Sequence, residues 1–568
     1  MSIKKLLFNS EVSQVLTLDK LLSALSLVVI MLLLASFLLG IFVPLYTDEV
    51  ATKIVQARFF AEGGKIVTLF PQCGASFIVD TPLTWYPAAM IYAFLYAGLE
   101  PLGIRISGVA MALVWVTLSF WGILKITSIR QYSIYLYAAI AVILGLGVLP
   151  FMLILARSEQ WLILLITLYC FFPIISRRVI SHESTLNKWG LFFVFCLVTS
   201  LFFYSHPKAI FFFPLVIVSV FYTFGIKNRL FLGLSISFLV ICTFQSVLLA
   251  KTLTHCEDAP KLSAILSSQT LDFKLIKTSP VAFITTATEN IINAPNSITN
   301  YVLFSNNYQS GWLPAVNEGS LTFAVRFVND ISQALLLTCL WSALLLPLFF
   351  FYKFINSAKN RENFFLVLAL WIGLVGHLAI FSTWNFYGAA LVLPLSLLIL
   401  VLLGADSFQL AMQRLWAKCV LLIALVLSLS SFYVLFNTIL PKLILNSHSD
   451  KGLIVGQPLS VSAFNFSTQR LRVRALAKTC GINGDDSSHL VIDDLTYFAF
   501  ERLHQPVHVI YLYGGGFGLD VAGDRVQPFL TKIASDGIIA RCTYLPEFYK
   551  DKALRDNNYC CVNISTNK

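Results

Sequence analysis

Two adjacent carboxylates, Asp48 and Glu49, follow the first long apolar run of the chain, within Pro44-Leu45-Tyr46-Thr47-Asp48-Glu49-Val50. Charge at the lip of a bilayer is costly to place and therefore points to function. The competing reading is a solvated helix start, where acids favour the helix dipole. Further polar groups stand where apolar runs meet: Arg157-Ser158-Glu159, Ser205-His206-Pro207-Lys208, and Arg58 nine to ten residues after the acid pair. Taken singly, Arg157 and Lys208 can snorkel to head groups, Glu159 can pair with Arg157, and His206 can cap a helix. Taken together they offer a carboxylate to accept a proton from an attacking hydroxyl and cations to hold a departing phosphate. That is the chemistry of glycosyl transfer from a polyprenyl-phosphate sugar, whose tail is buried and whose head group is exposed.

The elements that must position these groups are membrane helices. Of 568 residues, 57% are hydrophobic and 12% charged, which leaves too little charge to cover a water-soluble fold. The net charge of +11 does not call for nucleic acid, because Lys and Arg gather in short loops between apolar runs, as expected beside anionic lipid. The first apolar run lacks a small-residue cleavage site and reads as a retained span.

Apolar runs long enough to span fall near 21–44, 104–124, 133–152, 159–176, 189–205, 208–225, 230–250, 331–352, 364–382, 386–404 and 416–438. A twelfth candidate, Trp85 to Leu99, is about 15 residues long, short of the roughly 17–25 required. If it does not cross, Lys4-Lys5, Lys125/Arg130, Arg177-Arg178, Lys227/Arg229, Lys353/Lys359/Arg361 and Arg414/Lys418 all fall on one side. About eleven spans plus a juxtamembrane helix follow, with the N-terminus cytoplasmic. The Asp48 loop, Arg157–Glu159, Ser205–Lys208, residues 251–330 and everything after about 440 are then extracytoplasmic. Val50 to Gly64 reads as a short amphipathic surface helix.

The tail changes character. Residues 441–568 are charged and carry strand-like runs such as His489-Leu490-Val491-Ile492 and Val507-His508-Val509-Ile510-Tyr511, which predicts a small extracytoplasmic α/β domain. Asp493-Asp494 at a strand end reads as a turn more readily than as a ligand site. Gly514-Gly515-Gly516 lacks nucleotide-binding spacing and reads as a flexible turn. Five cysteines (170, 196, 242, 339, 419) lie in or beside spans. The other six (73, 256, 480, 542, 560, 561) all fall outside, where disulfides form; Cys480 with Cys542, Cys560 or Cys561 would staple the tail. The domain plan is therefore 1–250 catalytic, 251–330 outer loop, 331–440 further spans, and 441–568 soluble.

In the order of its parts the sequence resembles the GT-C membrane glycosyltransferases, which include protein O-mannosyltransferases, aminoarabinose transferases and arabinosyltransferases. The matching pieces are Thr47-Asp48-Glu49, Thr81-Pro82-Leu83, Arg105-Ile106-Ser107, Ala156-Arg157-Ser158-Glu159-Gln160-Trp161 and His206-Pro207-Lys208, within about residues 20–225. The resemblance implies an inverting transferase at the outer face of a bacterial cytoplasmic membrane. It takes an undecaprenyl-phosphate sugar and delivers it to a glycan, glycolipid or protein. Asp48 matches the catalytic base and Glu159 the second acid, with Glu49 the next candidate base. Lys208 matches a residue contacting the donor phosphate; Arg157, with His206 and Arg58 nearby, is expected to join it. Two pieces depart from the usual pattern: Thr81-Pro82-Leu83 stands for Pro-Pro-Leu, and Glu159 for an Asp.

Two alternatives stand beside this reading. A lipid-linked glycan flippase would place ionisable residues near the midplane and often show internal repeats; the central spans here are almost free of charge. An O-antigen-type polymerase would suit the loop 251–330, though its arginines are sparse. No cofactor is required by the residues. An acid pair is able to hold a divalent cation, but no His or Asp cluster accompanies it. In the loop, Tyr301, Asn306-Asn307, Tyr308 and Trp312 offer either a sugar-binding surface or simple packing.

Overall fold

The computed structural model describes residues 3–46, 49–50, 54–67, 78–126, 133–180, 185–225, 228–254, 268–306, 308, 312–316, 322–355, 361–447, 460–461, 464, 467–484, 489–500, 503, 506–508, 530–531, 534–545 and 547–564. The chain opens with α1 (Ile3–Leu39), β1 (Leu45–Tyr46) and α2 (Val55–Gly63). The last of these ends where Gly64 takes a left-handed conformation (φ 66°) and donates its N–H to Phe60 O, as C-terminal glycines do. A hairpin, β2 (Lys65–Val67) and β3 (Ile78–Asp80), leads into α3 (Tyr86–Tyr96) and α4 (Pro101–Ile126). After these come α5 (Ser133–Leu144), α6 (Leu149–Leu153), α7 (Ser158–Ile180), α8 (Thr185–Ser205), a 3-10 turn (Pro207–Phe212), α9 (Phe213–Phe224) and α10 (Arg229–Thr254). The second half holds α11 (Pro280–Val302), α12 (Thr322–Ile355), α13 (Arg361–Ile380), α14 (Phe386–Ala411), α15 (Leu415–Val434) and α16 (Leu440–Ser447).

This is a multi-pass membrane protein. Among the described residues eight helices are long and apolar enough to cross a bilayer, and three shorter apolar ones (in α5, α7 and α13) coincide with the remaining runs read from the sequence. Helix α3, with 11 residues, is too short to cross. Helix α14 is the centre of the bundle: 83% of its apolar window is buried, against 28–44% for the other seven. A helix apolar on every side belongs in such a place.

Two expectations are revised. The run 133–152 is not one helix. It breaks at Gly147 (φ 54°), where a Cβ would lie 2.0 Å from Val302 O. The break is held by Ser431, whose hydroxyl accepts from Gly147 N and donates to Gly145 O, and by Val148 N donating to Val302 O. The segment 251–330 is not merely a loop, since α11 occupies 23 of its residues. There Trp312 and Tyr308 are buried and Trp312 stacks on Phe386 at 4.8 Å. Trp312, with Tyr308 edge-on against it, packs the segment onto α14, while Asn306 stays exposed; Asn307 lies outside the described residues.

The tail folds as an α/β unit: β4 (Ser460–Val461), α17 (Ser467–Thr479), β5 (Leu490–Ile492), α18 (Asp494–Ala499), β6 (Val507–His508), β7 (Gly537–Arg541), β8 (Leu554–Asp556) and β9 (Tyr559–Asn563). Its five-stranded sheet runs β6-β5-β7-β9-β8, with β6, β5 and β7 parallel and β9 antiparallel to both neighbours. Successive strand side chains face opposite ways. Adjacent Cys561 and Cys560 thus form separate disulfides, to Cys480 at the end of α17 and to Cys542 after β7. Cys73, Cys256 and Gly514-Gly515-Gly516 lie outside the described residues.

The tail docks against the loop that follows α1. Strand β4 pairs with β1, Tyr46 opposite Ser460, and Phe464 stacks on Phe42 at 5.2 Å. Arg470 joins Glu100 to Phe498 O.

Candidate active site

The site is assembled by loops that leave the helix ends on one face. Glu49 is fully buried. Its Oε1 accepts from Arg105 Nη1 (3.1 Å) and Ala156 N (2.6 Å), and its Oε2 accepts from Arg105 Nη2 (2.9 Å) and Tyr46 N (2.7 Å). Arg105 also donates to Val43 O, Pro44 O and Ile154 O. This pair ties three stretches together: residues 43–49, the start of α4, and the turn before α7. Close approach of α4 to that turn needs Gly108, where a Cβ would meet Ile154 O at 2.0 Å. Asp48 itself lies outside the described residues; its neighbours Tyr46 and Glu49 carry these contacts.

Beside this clamp stands a second cluster. Glu159, in the first turn of α7, is 2% exposed. It meets Arg157 Nε (3.3 Å), Lys208 Nζ (3.3 Å) and His206 Nε2 (3.5 Å). Pro207 breaks the chain between α8 and α9 and fixes this corner. There His206 Nδ1 accepts from Lys208 N at 3.0 Å, which leaves Nε2 as the nitrogen that carries the proton and faces Glu159. With His206 neutral, one carboxylate against the Arg157 guanidinium and the Lys208 ammonium gives a net charge of about +1, in a place largely shielded from water.

The second half of the chain closes this cluster. Asn385 caps α14 by accepting from Gly388 N, and the first turn of that helix lays Tyr387 against Arg157, with the guanidinium 3.8 Å from the ring centroid. Lys208 Nζ is 5.6 Å from the same ring and 5.5 Å from Phe381. Tyr46 is 6.0 Å from Arg157 and packs edge-on to Phe386. Stacking on aromatic faces holds the two cations in place without neutralising them.

Of the residues singled out in the sequence, Arg157, Glu159, His206 and Lys208 come together. Glu49 belongs to the adjoining clamp. Arg58 pairs with Glu62 (3.0 Å) along α2 and lies beside Tyr497 of the tail, whose hydroxyl is pushed by burial up to about 12. Arg105 and Tyr387 contribute as well. Arg105 opens a span within one of the matching pieces, without an assigned role, and Tyr387 stands with Trp384-Asn385-Phe386 at the outer end of a late span, where the sequence admits either closure of the cavity between the two halves or an interfacial belt. Among the described residues no group of three or more His, Cys, Asp or Glu is arranged to hold a metal ion.

The second acid pair, Asp493-Asp494, is a helix start. Asp493 Oδ1 accepts from Leu495 N (3.1 Å) and Thr496 N (2.8 Å) in a capping box, and its Oδ2 accepts from Arg541 N (3.0 Å). Asp494 meets Arg541 Nη2 at 3.2 Å. All three are buried. Two carboxylates share one guanidinium there, so burial pushes the Asp494 carboxyl up to about 7, while both acids push Arg541 up and keep it charged.

No protein-family model matches the chain, and a search of curated proteins returns no match. Similar solved structures include the apo Archaeoglobus fulgidus oligosaccharyltransferase (TM-score 0.44, 10% identity, covering 90% of this chain and 69% of that one). Another is ArnT from Cupriavidus metallidurans bound to undecaprenyl phosphate (TM-score 0.42, 12% identity, covering 96% and 97%). At these scores the likeness concerns the course of the chain and not its chemistry.

Proposed function

We propose that this protein is a GT-C-type glycosyltransferase that moves a sugar from a polyprenyl-phosphate donor, of the undecaprenyl kind, to a cell-envelope glycan, glycolipid or protein. One observation carries the reading: Arg157 and Lys208 converge from separate loops on one buried carboxylate, leaving a net positive, aromatic-walled cluster at the helix ends. Such a cluster matches a lipid phosphate, whose charge grows as the sugar leaves. In the reaction an acceptor hydroxyl attacks the anomeric carbon and loses its proton to Asp48. The bond from that carbon to the phosphate oxygen breaks, its electron pair stays on the phosphate, and configuration inverts. Arg157 and Lys208 hold that phosphate. Glu159 aims both cations and His206, and Glu49 acts through Arg105 by fixing the Asp48 loop. Arg58, paired with Glu62, serves the seam with the tail.

In this reading the chain sits in a bacterial cytoplasmic membrane with the site and tail outside. Residues 1–250 handle the donor, residues 331–440 close the site, and 251–330 with 441–568 face the acceptor. The purified protein in detergent, given a panel of radiolabelled undecaprenyl-phosphate sugars and envelope fractions, should transfer label from one of them. Failure to bind undecaprenyl phosphate would end the proposal.

A further inference from the structure

His377 lies near the end of α13 and is 1% exposed. Phe211, Phe381 and Trp384 wall its ring, with centroids at 5.5, 4.8 and 5.4 Å. Neither ring nitrogen has a hydrogen-bond partner among the described residues. Nearly all buried polar groups are paired, and one that is not calls for a specific explanation. Here the pairing is missing at both ends of the same ring.

The position of the ring supplies an explanation. Helix α13 is drawn tightly onto the 3-10 turn that carries Lys208: a Cβ on Gly373 would lie 2.5 Å from the Phe212 ring and 2.9 Å from Phe211 O. Lys208 Nζ stands over the ring of Phe381, against which His377 also packs. His377 therefore adjoins the phosphate cluster on the side of the second half of the chain, and Lys208, His206 and Glu159 act on it electrostatically. Its three walls are themselves only partly buried, and Trp384 sits on the non-helical link between α13 and α14.

A neutral imidazole offers one N–H and one lone pair. A phosphate oxygen accepts only, so it would satisfy one nitrogen and leave the other dry. Sugar hydroxyls both donate and accept, and their C–H faces stack on aromatic rings. We propose that His377 reads hydroxyls of the transferred sugar, within the cage of Phe211, Phe381 and Trp384, next to the phosphate held by Lys208 and Arg157. This rests on the glycosyl-transfer reading and adds to it a residue that selects the sugar.

The test compares binding of undecaprenyl phosphate with that of undecaprenyl-phosphate-mannose and undecaprenyl-phosphate-glucose by wild type, His377→Phe and His377→Gln. Wild type should bind one sugar-bearing lipid more tightly than the bare lipid. His377→Phe should lose about tenfold on that lipid alone, as expected for one or two lost hydrogen bonds, and keep its affinity for undecaprenyl phosphate. His377→Gln, with a donor and an acceptor, should fall between them, and it stands in for the Phe variant if that one fails to fold. Equal losses on bare and sugar-bearing lipid, no loss on either, or a wild type that does not distinguish them would overturn the assignment while leaving the transferase reading intact. A wild type that binds no undecaprenyl phosphate at all would remove both.

Discussion

All five N–H groups of Arg105 are satisfied inside the protein, two of them by the carboxylate of Glu49. The remaining three hold carbonyls of residues 43, 44 and 154, so one side chain fastens the loop after α1 to the turn before α7. Both partners are fully buried. A charge so placed is tolerable only while its partner is present.

Breaking this pair should therefore cost stability. Arg105→Met or Glu49→Gln alone strands a buried charge, a loss of about 3–5 kcal/mol. The double change removes both charges and should recover much of it. Thermal unfolding in detergent measures this; single variants as stable as wild type would show the pair to be idle.

Asp48→Asn keeps the shape of the side chain and removes its basicity. Turnover should drop about 10²–10⁴-fold, with undecaprenyl phosphate bound as before. Wild-type turnover in this variant would rule Asp48 out as the base.

Lys208→Gln removes a cation from a partly desolvated anion site. Affinity for undecaprenyl phosphate should weaken by about 1.5–3 kcal/mol, roughly ten- to a hundredfold. Arg157→Gln should act in the same direction and also release Tyr387. Unchanged affinity in both variants would place the phosphate elsewhere.

The tail should lose stability as pH rises. Asp494 titrates near 3.9 when unfolded and at about 7 when folded, so between these values the folded state holds the extra proton. Stability from this group is complete below about pH 4 and declines through pH 7, by about 4 kcal/mol at most. Arg541 is charged across this whole window and adds no slope. Limited proteolysis of the tail between pH 4.5 and 8 reads the effect, and Asp494→Asn should flatten it. An unaltered slope in that variant would assign the pH dependence to another group.

Much of the membrane architecture was legible in the chain alone. Every apolar run near 20 residues except 133–152, which breaks at Gly147, became an apolar helix, because in lipid a helix is the only way for a single stretch to satisfy its own backbone. The shortness of Trp85–Leu99 made it doubtful as a span and the one-sided gathering of Lys and Arg decided against it, and the fixed neighbours of Arg157, Glu159, His206 and Lys208 put them at helix ends. The pairing of Cys480 within the tail followed from compartment and count. Local patterns could not disclose which polar groups share one cavity. Glu49 and Glu159 look alike as acids at a span boundary. Yet one is locked by Arg105, 56 residues away, and the other by Lys208, 49 residues away. Nor could they show that Tyr387 would lie on Arg157, or that Ser431 would hold the break at Gly147. Each of these depends on helices far apart in sequence meeting in the bundle, and only tertiary packing brings such groups within bonding distance.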